Sequence, residues 1–214
     1  KPFGSDEESA RELNKLLLDL VPEKQIYRVD HFLGQSVLLD LLGVRLANRV
    51  FEPVWSGTHI ESVVIRYDES LGLEGRAGYY DGVGAMQDMM QSHLLQLLAV
   101  VAMEPPATLG ERDLRDAIGA ALRSVHLWDD DPVTASRRAR YTAGEAGGKS
   151  LPDYVDEDGV DPANNTETLA EATFEVRTMR WQGVPFTLRS GKALAPEAKE
   201  IVMTFRPLPR IPAQ

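Results

Sequence analysis

Apolar residues recur at three- and four-residue intervals near the start of the chain, at Ala10, Leu13, Leu16, Leu17 and Leu20. That period predicts an amphipathic helix, opened by a Ser5-x-x-Glu8 capping box and closed at Pro22. Ile26, Tyr27 and Val29 form a short β-favouring run and predict a strand. Gly34 opens a second helical pattern carrying Val37, Leu38, Leu41, Leu42 and Leu46, and Pro53 and Gly57 interrupt the chain. From Ile60 to Tyr67 the period shortens to two, which predicts a strand. Gly72, Gly75 and Gly78 mark a loop. A long helix is predicted from about Asp81 to Met103, with Met86, Met90, Leu94 and Leu97 along one face and Pro105-Pro106 as its stop. Thr108-x-x-Glu111 reads as another capping box, ahead of Leu114, Ile118 and Leu122. Residues 129–165 are rich in Asp, Gly, Pro and Asn and predict a long excursion over the surface. The chain then turns to strands over 168–180, 184–189 and 199–206, with a turn at Trp181-Gln182-Gly183-Val184. Helices first and hairpin-linked strands later predict an α+β domain built on a large, mostly antiparallel sheet packed with helices. No Gly-x-Gly-x-x-Gly follows a strand, so no dinucleotide-binding unit is predicted.

Composition narrows the function classes. The chain has 214 residues, 43% of them hydrophobic, which predicts one core-bearing domain over 1–214. A formal net charge of −10 repels polyanions, so no nucleic-acid partner is expected. The absence of cysteine rules out a disulfide scaffold and cysteine-based metal sites, and it suits the cytoplasm. No metal site is predicted. No apolar run reaches the length of a membrane span, so no membrane partner is expected. Lys1-Pro2-Phe3-Gly4 runs straight into charged sequence without a signal peptide. The start without Met and the Pro-rich end from Arg206 to Gln214 read as boundaries of a cut or processed chain.

Three clusters could carry chemistry. Asp30 and His31 adjoin each other between a β-run and a glycine-opened helix, so their side chains would point to opposite faces. A surface Asp-His pair is the plainer reading. His93 follows Asp88 by five positions, a turn of about 140° on an α-helix, so the two need not share a face. A histidine amid Met90, Leu94 and Leu97 is usually a satisfied core residue. Its functional alternative is a general base, with an unperturbed pKa of about 6.5 suited to proton abstraction. Such a base needs a carboxylate behind its imidazole, and Asp30 is a candidate. In Arg189-Ser190-Gly191-Lys192 the glycine lets the chain turn and Lys192 could reach an anion, although turn lysines are mostly just solvated. The same holds for Lys1.

Taken in order, these segments resemble the glucose-6-phosphate dehydrogenase family. The matching stretches are Lys1–Gly4, Gln25–Gly34, Arg45–Trp55, Glu74–Asp81, Asp88–Gln96, Met103–Pro105, Thr166–Thr168 and Trp181–Leu194. The resemblance implies the family's C-terminal substrate and catalytic domain, with the N-terminal dinucleotide-binding domain absent and further sequence missing after Arg206. It implies oxidation of glucose 6-phosphate at C1 to the lactone, with hydride passing to NADP or NAD, in the pentose phosphate pathway. By the same resemblance His93 is the general base and Asp30 its carboxylate partner. His31 binds phosphate, and Lys1 lies near the reacting end of the sugar beside Pro2. Glu69 and Asp88 accept hydrogen bonds from sugar hydroxyls, and Lys192 lies at the substrate site. Homodimers or homotetramers formed through the large sheet are implied. No cofactor is expected on the isolated chain, which is expected to be inactive.

Three positions depart from the family pattern. Phe32 stands where the family has Tyr, and Gln35 where it has Lys, both at the sugar phosphate. Glu197 stands near another usual basic position. A hydrogen bond to a charged group contributes about 1.5–3 kcal/mol, so Gln35 alone would weaken phosphate binding by about one to two orders of magnitude. These changes keep a second reading open, a degenerate paralogue serving as a sugar-phosphate-binding or regulatory subunit. An unrelated α+β interaction domain is the third.

Overall fold

The computed structural model describes residues 4, 6–27 and 36–208, with the side chains of 36 and 37 left aside. Contacts divide the chain into two compact units, residues 1–35 and 36–214.

In the first unit, helix α1 spans Glu7–Leu20. Its cap is Asp6, whose carboxylate accepts from the Ser9 amide at 2.8 Å while Ser9 Oγ accepts from the Asp6 amide at 3.1 Å. The expected Ser5–Glu8 box is therefore displaced by one residue. Aspartate is as good an N-cap as serine, and Ser9 returns the second bond that Glu8 was expected to make. Ile26 and Tyr27 lie in no strand, contrary to expectation, and Val29 lies outside the described residues. A single helical turn over Glu23–Gln25 precedes them.

The second unit opens with α2, Ser36–Leu46, and proceeds through strand β1, Ile60–Asp68, to a short helix α3, Ala77–Tyr80. The predicted long helix is in fact two windings. A π-helix spans Met86–Leu94 and runs directly into α4, Leu95–Ala102. Next come α5 (Glu111–Arg123), β2 (Val125–Leu127), α6 (Pro132–Ala135) and β3 (Ser136–Ala139). The Thr108 capping box does not form: the cap position is Gly110, and the Thr108 hydroxyl donates to Asp113 at 2.7 Å. The hairpin β4 (Gly144–Ala146) and β5 (Lys149–Leu151) follows, then β6 (Leu169–Val176), β7 (Phe186–Gly191) and β8 (Ala198–Phe205).

The main sheet has the order β2-β6-β7-β1-β8, with β3 also pairing β6. It is mixed but mostly antiparallel. The β1–β7 pair is parallel, in the register Val63↔Phe186 to Asp68↔Gly191. One face is apolar: Val63 and Ile65, Ala170 and Ala172, and Phe186 and Leu188 are buried. Met90, Leu94, Leu98 and Val101 of the helical stretch are buried as well. The other face is polar, carrying Arg66, Arg189, Glu171 and a Thr173–Thr187 hydroxyl pair at 3.1 Å. Alternation along β1 and β7 follows from this one-sided burial.

The carboxyl end of α4 is tied down by side chains from three segments. Arg45 donates to the carbonyls of Val100 at 3.1 Å and Val101 at 3.2 Å, and to that of Met103. Trp55 Nε1 donates to Val101 O and Trp181 Nε1 to Ala102 O, each at 2.8 Å. The last helical carbonyls have no partner within the helix, and here each of these four finds one. Arg45 is only 1% exposed, and burial lowers its guanidinium to about 10, opposed by the carboxylate of Glu52. It therefore stays charged at neutral pH and complements the negative end of the helix dipole.

The excursion over 129–165 is less superficial than expected. Tyr154 is buried against Leu73, Ala77 and Tyr80. Asp81 anchors the segment, accepting from Tyr154 Oη at 2.7 Å, the Asp161 amide at 2.9 Å and Asn164 Nδ2 at 2.8 Å. Burial alone would raise the Asp81 pKa, but these hydrogen bonds outweigh it and the net shift is downward.

Candidate functional site

The parallel pairing of β1 and β7 brings their carboxyl ends side by side, and a candidate residue leaves each. Glu69 follows β1, its amide bonded to Gly191 O at 2.9 Å. Lys192 follows β7, its amide bonded to Thr168 O at 2.8 Å. The turn beyond Lys192 is fixed by Leu194 N to Glu69 O at 2.8 Å and Ala193 N to Leu71 O at 2.9 Å. Gly191 is required there, because a Cβ would stand 2.7 Å from Leu194 Cδ1 and 3.2 Å from Leu169.

This backbone lattice sets Lys192 Nζ 3.2 Å from Glu69 Oε2. The ammonium also lies 5.1 Å from the centre of the Tyr80 ring. Lys192 is 5% exposed, so its charge is held by a carboxylate and an aromatic face and not by bulk water. Burial pushes the Tyr80 phenol far above its ordinary value, and the charges of Asp88, Glu167 and Glu69 add to that. Tyr80 thus lies in the field of carboxylates from three segments.

Asp88 and His93 ride on the π-helix. Its hydrogen bonds run from residue i to i+5, so residues five apart stand one turn from each other on the same face. The α-helical expectation of a 140° offset is corrected by this winding. Asp88 Oδ1 accepts from Tyr79 Oη at 3.0 Å. Burial first, and Asp88 second, raise the Tyr79 pKa. Ser92 Oγ reaches back to Gln87 O at 2.9 Å, a five-residue side-chain bond that repeats the backbone pattern. Both Asp88 and His93 are half-buried, and the π-helix packs on β6 and β7, the strands adjoining Lys192.

Of the predicted residues, Glu69 and Lys192 are in contact, and Asp88 and His93 share a helical face. Lys1, Asp30, His31, Phe32 and Gln35 lie outside the described residues. Glu197 is exposed and accepts from Ser70 Oγ at 2.6 Å and Ser70 N at 3.3 Å. Those bonds lower its pKa, so it remains an anion. Sequence reasoning missed Tyr79 and Tyr80, which carried a signal in the matched stretch Glu74–Asp81. It also missed the buried Asp68, paired with Arg189 Nε at 3.1 Å.

The arrangement offers a buried cation oriented by a carboxylate, further carboxylates suited to hydroxyl donors, and a half-buried imidazole. Among the described residues no group of three or more His, Asp or Glu could hold a metal ion. Among the described residues no Gly-x-Gly-x-x-Gly turn joins a strand to a helix. Among them no helix is long and apolar enough to cross a membrane.

Residues 42–213 match the family model for "Glucose-6-phosphate dehydrogenase, C-terminal domain", and residues 1–39 that for "Glucose-6-phosphate dehydrogenase, NAD binding domain". The chain is 43% identical over 212 residues to glucose-6-phosphate 1-dehydrogenase 2 of Mycobacterium tuberculosis, covering 99% of this chain and 41% of the relative. It is 43% identical over 210 residues to glucose-6-phosphate 1-dehydrogenase of Zymomonas mobilis, covering 98% and 43%. Among solved structures, a glucose-6-phosphate dehydrogenase in complex with its substrate glucose-6-phosphate aligns with a TM-score of 0.88 at 34% identity. That alignment covers 98% of this chain and 42% of the other. The chain therefore spans less than half the length of the relatives it matches.

Proposed function

The chain belongs to the glucose-6-phosphate dehydrogenase family, and we propose that it forms the sugar-phosphate-binding and catalytic portion of a full-length member. The observation that carries this is the alignment of 98% of the chain with a solved dehydrogenase in complex with glucose-6-phosphate. In this reading His93 takes the proton of the C1 hydroxyl as that carbon gives up hydride and becomes the lactone carbonyl. Asp30 orients the imidazole and stabilises its protonated form. Asp88 and Glu69 accept hydrogen bonds from sugar hydroxyls. Lys192 donates to a substrate oxygen, its ammonium aimed by Glu69 and Tyr80. Lys1 stands at the reacting end, and His31, Phe32 and Gln35 border the phosphate. NADP or NAD, held by the dinucleotide-binding domain of the full-length protein, supplies the hydride sink. Assembly as a dimer or tetramer belongs to the same proposal.

Full-length protein should reduce NADP or NAD with glucose 6-phosphate, and the 214-residue chain alone should not. Steady reduction by the isolated chain, or none by the full-length protein, overturns the reading. A degenerate, sugar-phosphate-binding paralogue is favoured by one observation: Glu197 is held as an anion near the turn that carries Lys192. It predicts glucose 6-phosphate binding without turnover in the full-length protein.

A further inference from the structure

Thr166-Glu167-Thr168, one of the stretches that carry the family resemblance, has no part in the chemistry above. The structure sets it against the π-helix that carries Asp88 and His93 and against the turn that carries Lys192. The Thr166 hydroxyl donates to the Asp81 carbonyl. Thr168 O receives the Lys192 amide at 2.8 Å. Between them Glu167 meets the amino end of the π-helix twice: its backbone carbonyl accepts from Ala85 N at 3.1 Å, and its Oε1 accepts from Met86 N at 2.9 Å. Tyr80 Oη lies 3.4 Å from the same backbone carbonyl.

The first amides of a helix have no partner inside it, and no side chain of the π-helix's own cap position supplies one. Glu167 supplies two from a distant segment. Gly84 makes the approach feasible: a Cβ there would stand 2.6 Å from Glu167 Oε1, and the glycine holds φ at +70°. The side chain of Glu167 is 12% exposed. Its other oxygen lies 3.9 Å from Arg138 Nη1, but that arginine is 66% exposed, and such a pair contributes little.

We propose that Glu167 is a positioning residue, its carboxylate fixing where the π-helix begins and so where Asp88 and His93 stand relative to Lys192. The inference rests on the sugar-phosphate reading for its catalytic consequence, but not for its structural one. Reach, and not charge, is what the cap requires. Glu167→Gln keeps an acceptor oxygen at the same distance, whereas Glu167→Asp keeps the charge and withdraws it by one methylene.

The test uses full-length protein with two readouts, kcat/KM for glucose 6-phosphate and hydrogen exchange of the Met86 amide. Glu167→Asp should lower kcat/KM by about ten- to a hundredfold, the range of a misplaced catalytic group, and speed exchange. Glu167→Gln should retain most activity and protection. The proposal is overturned if Asp is tolerated while Gln is not, if both behave as wild type, or if both lose equally. If the exchange pattern holds but wild-type protein oxidises no glucose 6-phosphate, the cap stands and the functional reading falls.

Discussion

The helical stretch Met86–Ala102 ends in two different ways. Its carboxyl half is regular α-helix, with Leu97 through Ala102 all buried, and its final carbonyls are held by Arg45, Trp55 and Trp181. Its amino half is wound as a π-helix, half-buried, and carries Gln87, Asp88, Gln91, Ser92 and His93. Even the bonds that hold the two ends differ in kind. At the carboxyl end donors from three segments meet a buried apolar surround, whereas at the amino end one residue, Glu167, does the capping through its backbone carbonyl and its carboxylate. Wide winding costs backbone hydrogen-bond geometry and is concentrated at functional sites. One end anchors, and the irregular other end presents chemistry.

His93→Asn should separate the two ends most sharply. We expect kcat of the full-length protein to fall about 10²–10⁴-fold, with a urea midpoint that moves far less than for any change at the anchor. A midpoint lost together with activity would merge the two regions. Arg45→Met should do the opposite. It leaves the carbonyls of Val100 and Met103 without their side-chain donor, while Glu52 keeps Arg180 at 3.0 Å, and should cost about 2–4 kcal/mol in chemical denaturation. A loss no larger than that of a surface substitution, about 0.5 kcal/mol, would deny the anchor its role.

Asp81 tests whether the segment beside the π-helix is held electrostatically. Its folded pKa is depressed, so its contribution is present above the unfolded value of about 3.9 and is lost as pH falls through the folded one. The stability gap between wild type and Asp81→Asn should be fully open at neutral pH and close below about pH 4. A gap that is constant with pH counts against it. Trp181→Phe removes one hydrogen bond to Ala102 O and keeps most of the packing, and should cost about 1–2 kcal/mol. No measurable change would mean that Arg45 and Trp55 suffice.

Helix α4 was legible from its apolar run and the stop at Pro105-Pro106, and β1 and α5 because one-sided burial imposes its period on the chain. The π-winding was not. Met86, Met90 and Leu94 are spaced by four, and that spacing suits either winding; which carbonyl an amide selects is decided by Glu167 and other partners from distant segments. The caps at Asp6 and Gly110 were misplaced for a related reason, since Ser9 and Asp113 competed for bonds assigned to their neighbours. For the site, the resemblance selected Glu69 and Lys192, but their contact depends on a parallel register between strands that no local pattern encodes. The partnership of Asp30 with His93 lies outside the described residues.

The ion pair between Glu69 and Lys192 joins positions 123 apart in sequence. Closing so long a loop costs chain entropy before any contact rewards it, and non-local, parallel pairings are the slow ones. On dilution from denaturant, α5 and the β6–β7 hairpin should recover their signals early, while competence to hold a ligand between β1 and β7 returns last. Time spent waiting for that closure is when the nascent protein is most exposed to proteases and to misassociation.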